Sequence, residues 1–215
     1  MLKIVTVERE YGCGGGEIAQ RLAERLGWKL WDQLLTEEIA RLAHCPQAVV
    51  EQREERTDPL YYRLFKSFLR GSYEGSLNAP KLNLVDSENI LKITQRVVLH
   101  AASKGECVIV GRGSQLFLSS RPDAFRAFLY APREDKVRRL LSRGKSEREA
   151  QELVDTVDRE RAGFLEKYFH VVWPDRAVYH VMINTAVGDE AVVQTVVSCM
   201  KSFDSKFNDL RGNTP

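Results

Sequence analysis

With 215 residues, 43% of them hydrophobic, the chain is long enough to bury the core of one globular domain. Its net charge of +2 gives no indication that it binds nucleic acid. The sequence also lacks an apolar run of the roughly 18 residues that a membrane helix needs, so it gives no indication of a membrane partner. The sequence begins directly with a strand pattern rather than a signal peptide. Its four cysteines are widely spaced and form no C-x-x-C pair, and this spacing predicts reduced thiols in a cytoplasmic protein.

The first predicted elements are a strand over 2–7 and a helix from about 17 to 26, joined by a glycine-rich turn. The turn contains Gly12, Cys13, Gly14, Gly15 and Gly16, and Glu17 follows it. Glycines let backbone N–H groups converge on phosphate oxygens, and the helix N-terminus adds unpaired donors. The pattern therefore favours a phosphate-binding loop over a plain connection between strand and helix.

The turn departs from the standard P-loop, G-x-x-x-x-G-K-[ST]. If Gly14 is the last glycine of that motif, Arg9 takes the place of its first glycine. Gly15 then replaces the lysine that binds phosphate, and Gly16 replaces the hydroxyl residue that binds Mg²⁺. We therefore expect Arg9 to supply part of the missing charge and Glu17 to contact a metal indirectly, if at all.

Cys13 has two interpretations. The nearby helix N-terminus could lower the pKa of its thiol and so favour a redox role. Cysteine is also a small residue that fits a tight loop. We favour the second interpretation.

Further along the chain, a short strand over 28–31 ends at Asp32, and a helix is predicted over 34–42. Residues 47–86 differ in composition from the rest of the chain: they are first rich in charged residues, then in aromatic residues, and then in glycine, serine and other turn-forming residues. This composition predicts an inserted helical lobe. The aromatic and basic stretch 61–70 could instead bind nucleic acid, but its apolar residues follow helical spacing and favour the core of the lobe.

The rest of the chain continues the alternation of strands and helices. Strands are predicted over 107–110, 124–130 and 179–183, and helices over 87–103, 133–143, 146–168 and 189–203. Five short apolar strands separated by helices predict an α/β fold, a parallel sheet covered by helices on both faces. We expect a single domain over 1–204 with lid helices at about 133–168, followed by a flexible tail over 205–215.

Ligands of open α/β sheets bind at the carboxyl ends of the strands. That edge would bring together Arg9 with the glycine-rich turn, Asp32, Arg112, and residues 131–132 and 184–185. Arg112 follows a strand that is apolar throughout. Arg112 is interpreted as a phosphate contact rather than a surface salt bridge. For Asp32, binding of an acceptor molecule and capping of the following helix remain open alternatives.

Asp158-Arg159-Glu160-Arg161 lies on the second lid helix. The segment is either a solvated charged face or part of a lid whose arginines close on a transferring phosphoryl group. Arg159 and Arg161 are two positions apart, about 200° around a helix, so that at most one of them can face a nucleotide. Arg161 is the expected one, because it adjoins the apolar face of the helix.

Together, these residues resemble a known family. The motifs are E-R-E-Y-G-C-G-G-G-E-I-A at 8–19, L-G-W-K-L-W-D at 26–32, V-I-V-G-R-G at 108–113, D-R-E-R at 158–161 and Y-H-V-M-I-N-T at 179–185. They resemble the cytidylate-kinase-like P-loop proteins, relatives of bacterial cytidylate kinase within the nucleoside monophosphate kinases. The resemblance covers about residues 4–200.

The resemblance implies a P-loop kinase fold and transfer of the γ-phosphate of ATP, with Mg²⁺, to a small phosphorylated acceptor such as CMP or dCMP. It matches the glycine turn to the ATP-phosphate loop, Asp32 to the monophosphate site, and Arg112 to a G-R-D arginine. Arg159 and Arg161 match lid arginines. Gly15 and Gly16 depart from the family pattern, as does Gly113, which replaces an aspartate. These departures favour the alternative, a nucleotide-binding sensor or partner-binding protein with little kinase activity.

Overall fold

The structure, a computed structural model, describes residues 1–42 and 87–212. Five strands lie in these ranges: β1 (Ile4–Arg9), β2 (Lys29–Trp31), β3 (Cys107–Val110), β4 (Ala124–Tyr130) and β5 (Val181–Asn184). The α-helices of the same ranges are α1 (Gly15–Leu26), α2 (Gln33–Leu42), α3 (Ser87–Lys104), α4 (Ser114–Phe117), α5 (Arg133–Ser142), α6 (Glu147–Phe169) and α7 (Asp189–Gly212).

The strands form one sheet in the order β2-β3-β1-β4-β5, and every neighbouring pair is parallel. β1 is central, with Ile4 opposite Cys107 on one side and Ala124 on the other. The predicted α/β fold is therefore confirmed. The connection that leaves β1 runs past β3 to β2 at one edge of the sheet, whereas the connection that leaves β4 runs to β5 at the other edge. The direction of the connections therefore changes beside β1, where ligands of such sheets bind.

Helices cover both faces of the sheet because successive side chains of a strand point to opposite faces. On one face, Ile4 and Ile109 pack with apolar residues of α2, α3 and α6. On the other face, Val5, Val7 and Val108 pack with α1 and α7. All five side chains are fully or almost fully buried. Two apolar layers thus hold the carboxyl edge of the sheet in place.

The helices α5 and α6 form a small core of their own. It consists of Leu140 from α5, Ala150, Val154 and Val157 from α6, and Tyr11 from the loop that follows β1. Tyr11 is only 5% exposed. The two helices predicted as a lid therefore pack directly on the glycine-rich loop in this structure.

Some boundaries differ from the sequence-based expectations. The last helix runs to Gly212 rather than ending near 203, and residues 205–211 contain neither the glycine nor the proline that would interrupt it. The predicted lobe over 47–86 lies outside the described residues. Within the described ranges, no helix is long and apolar enough to span a membrane.

His180, the residue just before β5, allows the dependence of stability on pH to be tested. Burial, and after it the charge of Arg126, lower the pKa of its imidazole from 6.5 to about 4. The unfolded chain therefore binds this proton more readily, and stability present above pH 6.5 is lost as the pH falls towards 4. We expect His180→Phe to reduce the fall in Tm over this window, whereas the exposed His100→Gln leaves it unchanged. Equal pH profiles for wild type and His180→Phe would contradict this assignment.

Candidate active site

The glycine-rich loop, residues 10–14, joins the buried strand β1 to the first turn of α1. Gly12 and Gly14 have φ values of +79° and +81°, a region that favours glycine. A Cβ atom on Gly12 would lie 3.1 Å from the Cβ of Lys136 on α5, so the loop also needs glycine for close packing. The result is a tight loop whose last residue, Gly14, caps α1 without a side chain.

The backbone groups of three alternate residues, 9, 11 and 13, each form a hydrogen bond with a side chain from elsewhere in the fold. Arg161 donates from Nη1 to the Arg9 carbonyl at 2.7 Å. The Tyr11 N–H donates to an Asp158 carboxylate oxygen at 2.8 Å. On the opposite side, the buried Thr185 hydroxyl donates to a carbonyl of the loop, that of Cys13, at 2.7 Å. These bonds fix the loop between α6 and the end of β5.

Asp158 is the centre of a partly buried ionic network. It contacts Arg161 at 2.9 Å and Lys136 at 3.5 Å, and Lys136 also contacts Glu10 at 2.5 Å. Burial raises the pKa of Asp158, while Arg161 and the Tyr11 N–H oppose that rise. The carboxylate therefore links both lid helices to the glycine-rich loop.

Arg9 occupies the space that a side chain at position 15 would need. A Cβ atom on Gly15 would lie 2.8 Å from the Cβ and 2.9 Å from the Cγ of Arg9. The guanidinium of Arg9 reaches Gly111, where an added Cβ would be 3.1 Å from its Cζ, and its Nη1 lies 3.4 Å from Glu8. Arg9 is only 4% exposed. Glycine at 15 and 111 thus makes room for this arginine.

Arg112 and Asp32 meet at the same edge of the sheet although they are eighty positions apart. Arg112 donates from Nη1 to Asp32 at 2.8 Å and to the Val110 carbonyl at 3.1 Å, and its Nη2 contacts the Thr36 hydroxyl. Asp32 immediately precedes α2, so it stands at the capping position while its carboxylate accepts from Arg112. The pair forms a fixed polar group at the ends of β2 and β3.

Three buried guanidinium groups, those of Arg9, Arg112 and Arg161, influence one another here. Burial lowers the pKa of Arg112 and of Arg161, and the charge of Arg9 lowers both further, while Asp32 and Asp158 respectively oppose these shifts. Such mutual repulsion is relieved by an anion. Each of the three guanidinium groups also contacts a carboxylate, that of Glu8, Asp32 or Asp158 respectively.

The other predicted site residues lie further from this cluster. Arg159 is exposed on α6, on a different side from the buried Arg161. Glu17 is exposed and lies 2.7 Å from Arg143 and 3.8 Å from Arg139. Among the described residues, no group of three or more His, Cys, Asp or Glu side chains could hold a metal ion.

Several residues of the site were not selected from the sequence: Glu8, Thr36, Lys136 and Arg139. Lys136 and Arg139 belong to a helix so rich in charge that a solvated face is its ordinary interpretation. Their buried or half-buried positions depend on the contact of α5 with the loop. That contact has no local sequence signal.

The environment of Cys13 indicates an inert thiol. Burial raises its pKa from 9.0 to about 12, against the opposing effect of the Gly15 N–H. The thiolate, which is the reactive form, is therefore strongly disfavoured at neutral pH. We expect iodoacetamide to label the half-exposed Cys199 in the native protein, and Cys13 only after unfolding, as followed by mass spectrometry. Labelling of both at similar rates would contradict this assignment.

Comparison with known proteins identifies the family. The profile of the cytidylate kinase-like family matches residues 4–187. A curated cytidylate kinase of Shewanella sediminis (strain HAW-EB3) is 33% identical over 101 residues, which are 47% of this chain and 43% of that protein. The match thus spans less than half the length of this curated relative.

Solved structures support the fold. An uncharacterized protein from Eubacterium ventriosum ATCC 27560 superposes with a TM-score of 0.66 at 21% identity, covering 94% of this chain and 99% of that one. A gluconokinase from Sinorhizobium meliloti 1021 gives a TM-score of 0.57 at 13% identity, with 97% of both chains covered. At such identities the likeness concerns the fold alone, and that fold is the predicted kinase type.

Proposed function

This chain belongs to the cytidylate kinase-like family, and from that membership and the site geometry we propose that it is an ATP-dependent phosphotransferase of the nucleoside monophosphate kinase type. It transfers the γ-phosphate of Mg²⁺-ATP to a small phosphorylated acceptor. CMP and dCMP are the first acceptors to test. Both substrates are small and polar, and neither a membrane nor a nucleic acid takes part.

The observation that carries the proposal is the reciprocal fit of Arg9 and Gly15. The stem of the arginine occupies the space that a side chain at position 15 would need, which is the position of the phosphate-binding lysine in a standard P-loop. The buried stem of Arg9 thus runs beside Gly15, and its guanidinium lies at Gly111, at the end of the neighbouring strand β3. Gly12 to Gly16 would surround the phosphates with backbone N–H groups.

The acceptor would bind beside Arg112 and Asp32. An acceptor phosphate is already anionic, so transfer requires alignment and neutralisation of charge more than a general base. Arg112 and Arg161 would neutralise charge from the acceptor side, and Arg159 would join only after a movement of α6. The inserted lobe over 47–86, outside the described residues, would complete this side.

The described residues do not form a metal site by themselves. Gly16 lacks the hydroxyl of the standard motif, and Glu17 is engaged with Arg143. Mg²⁺ commonly keeps several waters and binds through substrate phosphates. Mg²⁺ would therefore arrive with ATP and neutralise phosphate charge, and none of the side-chain roles proposed here depends on a protein ligand to it.

The sensor alternative has a specific observation in its favour. Residues 15 and 16 are both glycine, so the loop lacks the lysine and the hydroxyl that catalytic P-loops use. Loss of one phosphate cation costs several kcal/mol of transition-state stabilisation, on the scale of about 3 kcal/mol for one oxyanion donor. If Arg9 does not replace the charge of the missing lysine, the protein binds nucleotide without useful turnover and acts by binding a partner.

The proposed function is tested by measuring ADP release from Mg²⁺-ATP with a panel of nucleoside monophosphates, small phosphorylated metabolites and unphosphorylated sugars. We expect turnover with at least one phosphorylated acceptor, CMP or dCMP first, and none with the sugars. ATP binding without turnover on the whole panel would favour the sensor. Turnover with an unphosphorylated sugar alone would replace the proposed acceptor class.

A further inference from the structure

Glu8 and Arg9, the last two residues of β1, lie on opposite faces of the sheet, as neighbouring residues of a strand do. Arg9 lies opposite Leu129, on the face covered by α1, and its stem adjoins Gly15. Glu8 is on the same face as Ile4, which α2, α3 and α6 cover. The first face carries the glycine-rich loop of the proposed nucleotide site. Glu8 therefore places a carboxylate on the other face, at the end of the central strand.

Only one of the two carboxylate oxygens of Glu8 has a hydrogen-bond partner among the described residues. Its Oε1 accepts from the backbone N–H of Arg9 at 3.0 Å and from Nη1 of the same residue at 3.4 Å. Glu8 is 2% exposed. A carboxylate has about four acceptor sites, so that Oε2 of this buried side chain can still accept a hydrogen bond.

A second buried acceptor lies near Glu8. Gln115, on α4, is 1% exposed, and its Oε1 has no hydrogen-bond partner among the described residues. Burial raises the pKa of the Tyr179 hydroxyl, the charge of Glu8 raises it further, and the Gln115 side chain lowers it. The ring of Phe128, opposite Glu8 in the sheet, packs on that of Tyr179 with centroids 5.0 Å apart. Glu8, Gln115 and Tyr179 thus form one buried polar group.

This group lies on the acceptor side of the proposed reaction. The charge of Glu8 also affects Arg161: burial lowers the pKa of that guanidinium, and Glu8 is one of the carboxylates that oppose the shift. Arg161 and Arg112 are the cations proposed above for the acceptor. A carboxylate beside them repels an acceptor phosphate and attracts hydrogen-bond donors.

We propose that Glu8 is a specificity-determining residue whose Oε2 accepts a hydrogen bond from an O–H or N–H group of the acceptor molecule. The inference rests on the proposed function, and it names the part of the acceptor that this face recognises. The acceptor phosphate would lie towards Arg112, and the donor group would lie at Glu8. Oε1 of Gln115 would accept a second hydrogen bond.

A cytidine nucleotide offers two such donors, the amino group of the base and the 2′-hydroxyl of the ribose. UMP has a carbonyl oxygen in place of the amino group, and dCMP lacks the 2′-hydroxyl. A buried acceptor discriminates against an analogue without the donor, because the acceptor is then left without its hydrogen bond. We therefore expect the wild type to bind CMP at least about tenfold more tightly than one of these analogues, which identifies the donor.

The test is calorimetric titration of wild type, Glu8→Gln, Glu8→Asp and Glu24→Gln with CMP, dCMP, UMP and ATP. Glu8→Gln keeps the size of the side chain and removes its charge. It should reduce the discrimination to less than about threefold and change ATP affinity by less than about threefold. Glu8→Asp, with the carboxylate withdrawn by one methylene group, should lose part of the discrimination. Glu24 is an exposed carboxylate on α1, and Glu24→Gln should change none of the four affinities.

Three results would overturn the inference without deciding the proposed function, which the ADP-release panel tests separately. The first is a wild type that binds ATP but does not discriminate among the three monophosphates, or binds none of them. The second is equal discrimination in wild type and Glu8→Gln. The third is equal weakening of the monophosphates and of ATP, which would make Glu8 a structural support of Arg9. A wild type that does not bind ATP would reject both proposals. Thermal unfolding shows that each variant is folded, and Glu8→Asp replaces the glutamine variant if that one is not.

Discussion

We expect the double variant Arg9→Gly/Gly15→Lys to recover the activity that each of the two single variants loses. Arg9→Gly removes the buried cation beside the loop, and we expect kcat/KM to fall by about a hundredfold, the scale for one donor to a developing charge. Gly15→Lys places a Cβ atom 2.8 Å from the Cβ of Arg9, so the single variant is overpacked and loses both stability and activity. The double variant recreates the standard lysine and removes the collision.

The measurement is a double-mutant cycle on kcat/KM and on ATP affinity. Recovery of the double variant to within about tenfold of wild type would give a coupling energy of more than 1 kcal/mol between the two positions. An Arg9→Gly variant with unchanged kinetics would show that this arginine is not the phosphate cation. A double variant no better than either single one would show that positions 9 and 15 do not share one role.

Arg161→Ala should affect both stability and turnover, and Arg159→Ala neither. Arg161 is 3% exposed and donates to the Arg9 carbonyl and to Asp158. Its removal leaves the partly buried Asp158 carboxylate with Lys136, at 3.5 Å, as its remaining cation, so the cost should lie below the roughly 3–5 kcal/mol of a fully buried pair. Arg159 is exposed, and its removal should change the free energy of unfolding by less than about 0.5 kcal/mol.

Urea unfolding separates the structural part of this effect, and steady-state kinetics the catalytic part. In folded Arg161→Ala we expect turnover to fall much more than ATP affinity, which is typical of a contact made mainly in the transition state. A variant with lower stability but wild-type turnover would make Arg161 a support of the loop only. Equal, small effects from both arginines would mean that neither one contributes to stability or to turnover.

The fold could be predicted from the sequence because its signals are local. Each buried strand is a short apolar run, as in residues 107–110, and α1 shows helical spacing from Ile18 to Leu22. The glycine-rich loop was also recognisable, since a strand, a glycine cluster and a helix are adjacent in sequence. Gly12 and Gly14 have positive φ values, a backbone conformation that glycine adopts readily.

The partners within the site could not be predicted in the same way. Arg112 and Asp32 were both selected, but their ion pair joins the ends of two strands and depends on the order of the sheet. Thr185 was expected at the carboxyl edge of the sheet, but its bond to the Cys13 carbonyl spans 172 positions and has no local sequence signal. Arg139 is one of five basic residues between 133 and 143, and helix periodicity does not distinguish it from its neighbours.

The most direct test of the proposed phosphotransferase is a single-turnover experiment with ATP labelled at the γ-phosphate, enzyme in excess over ATP, and CMP as acceptor. We predict that the label appears in a nucleoside diphosphate derived from the acceptor, and that Arg9→Gly slows this transfer. Label that stays in ATP, or appears only as inorganic phosphate with every acceptor of the panel, would contradict the proposal and favour the sensor.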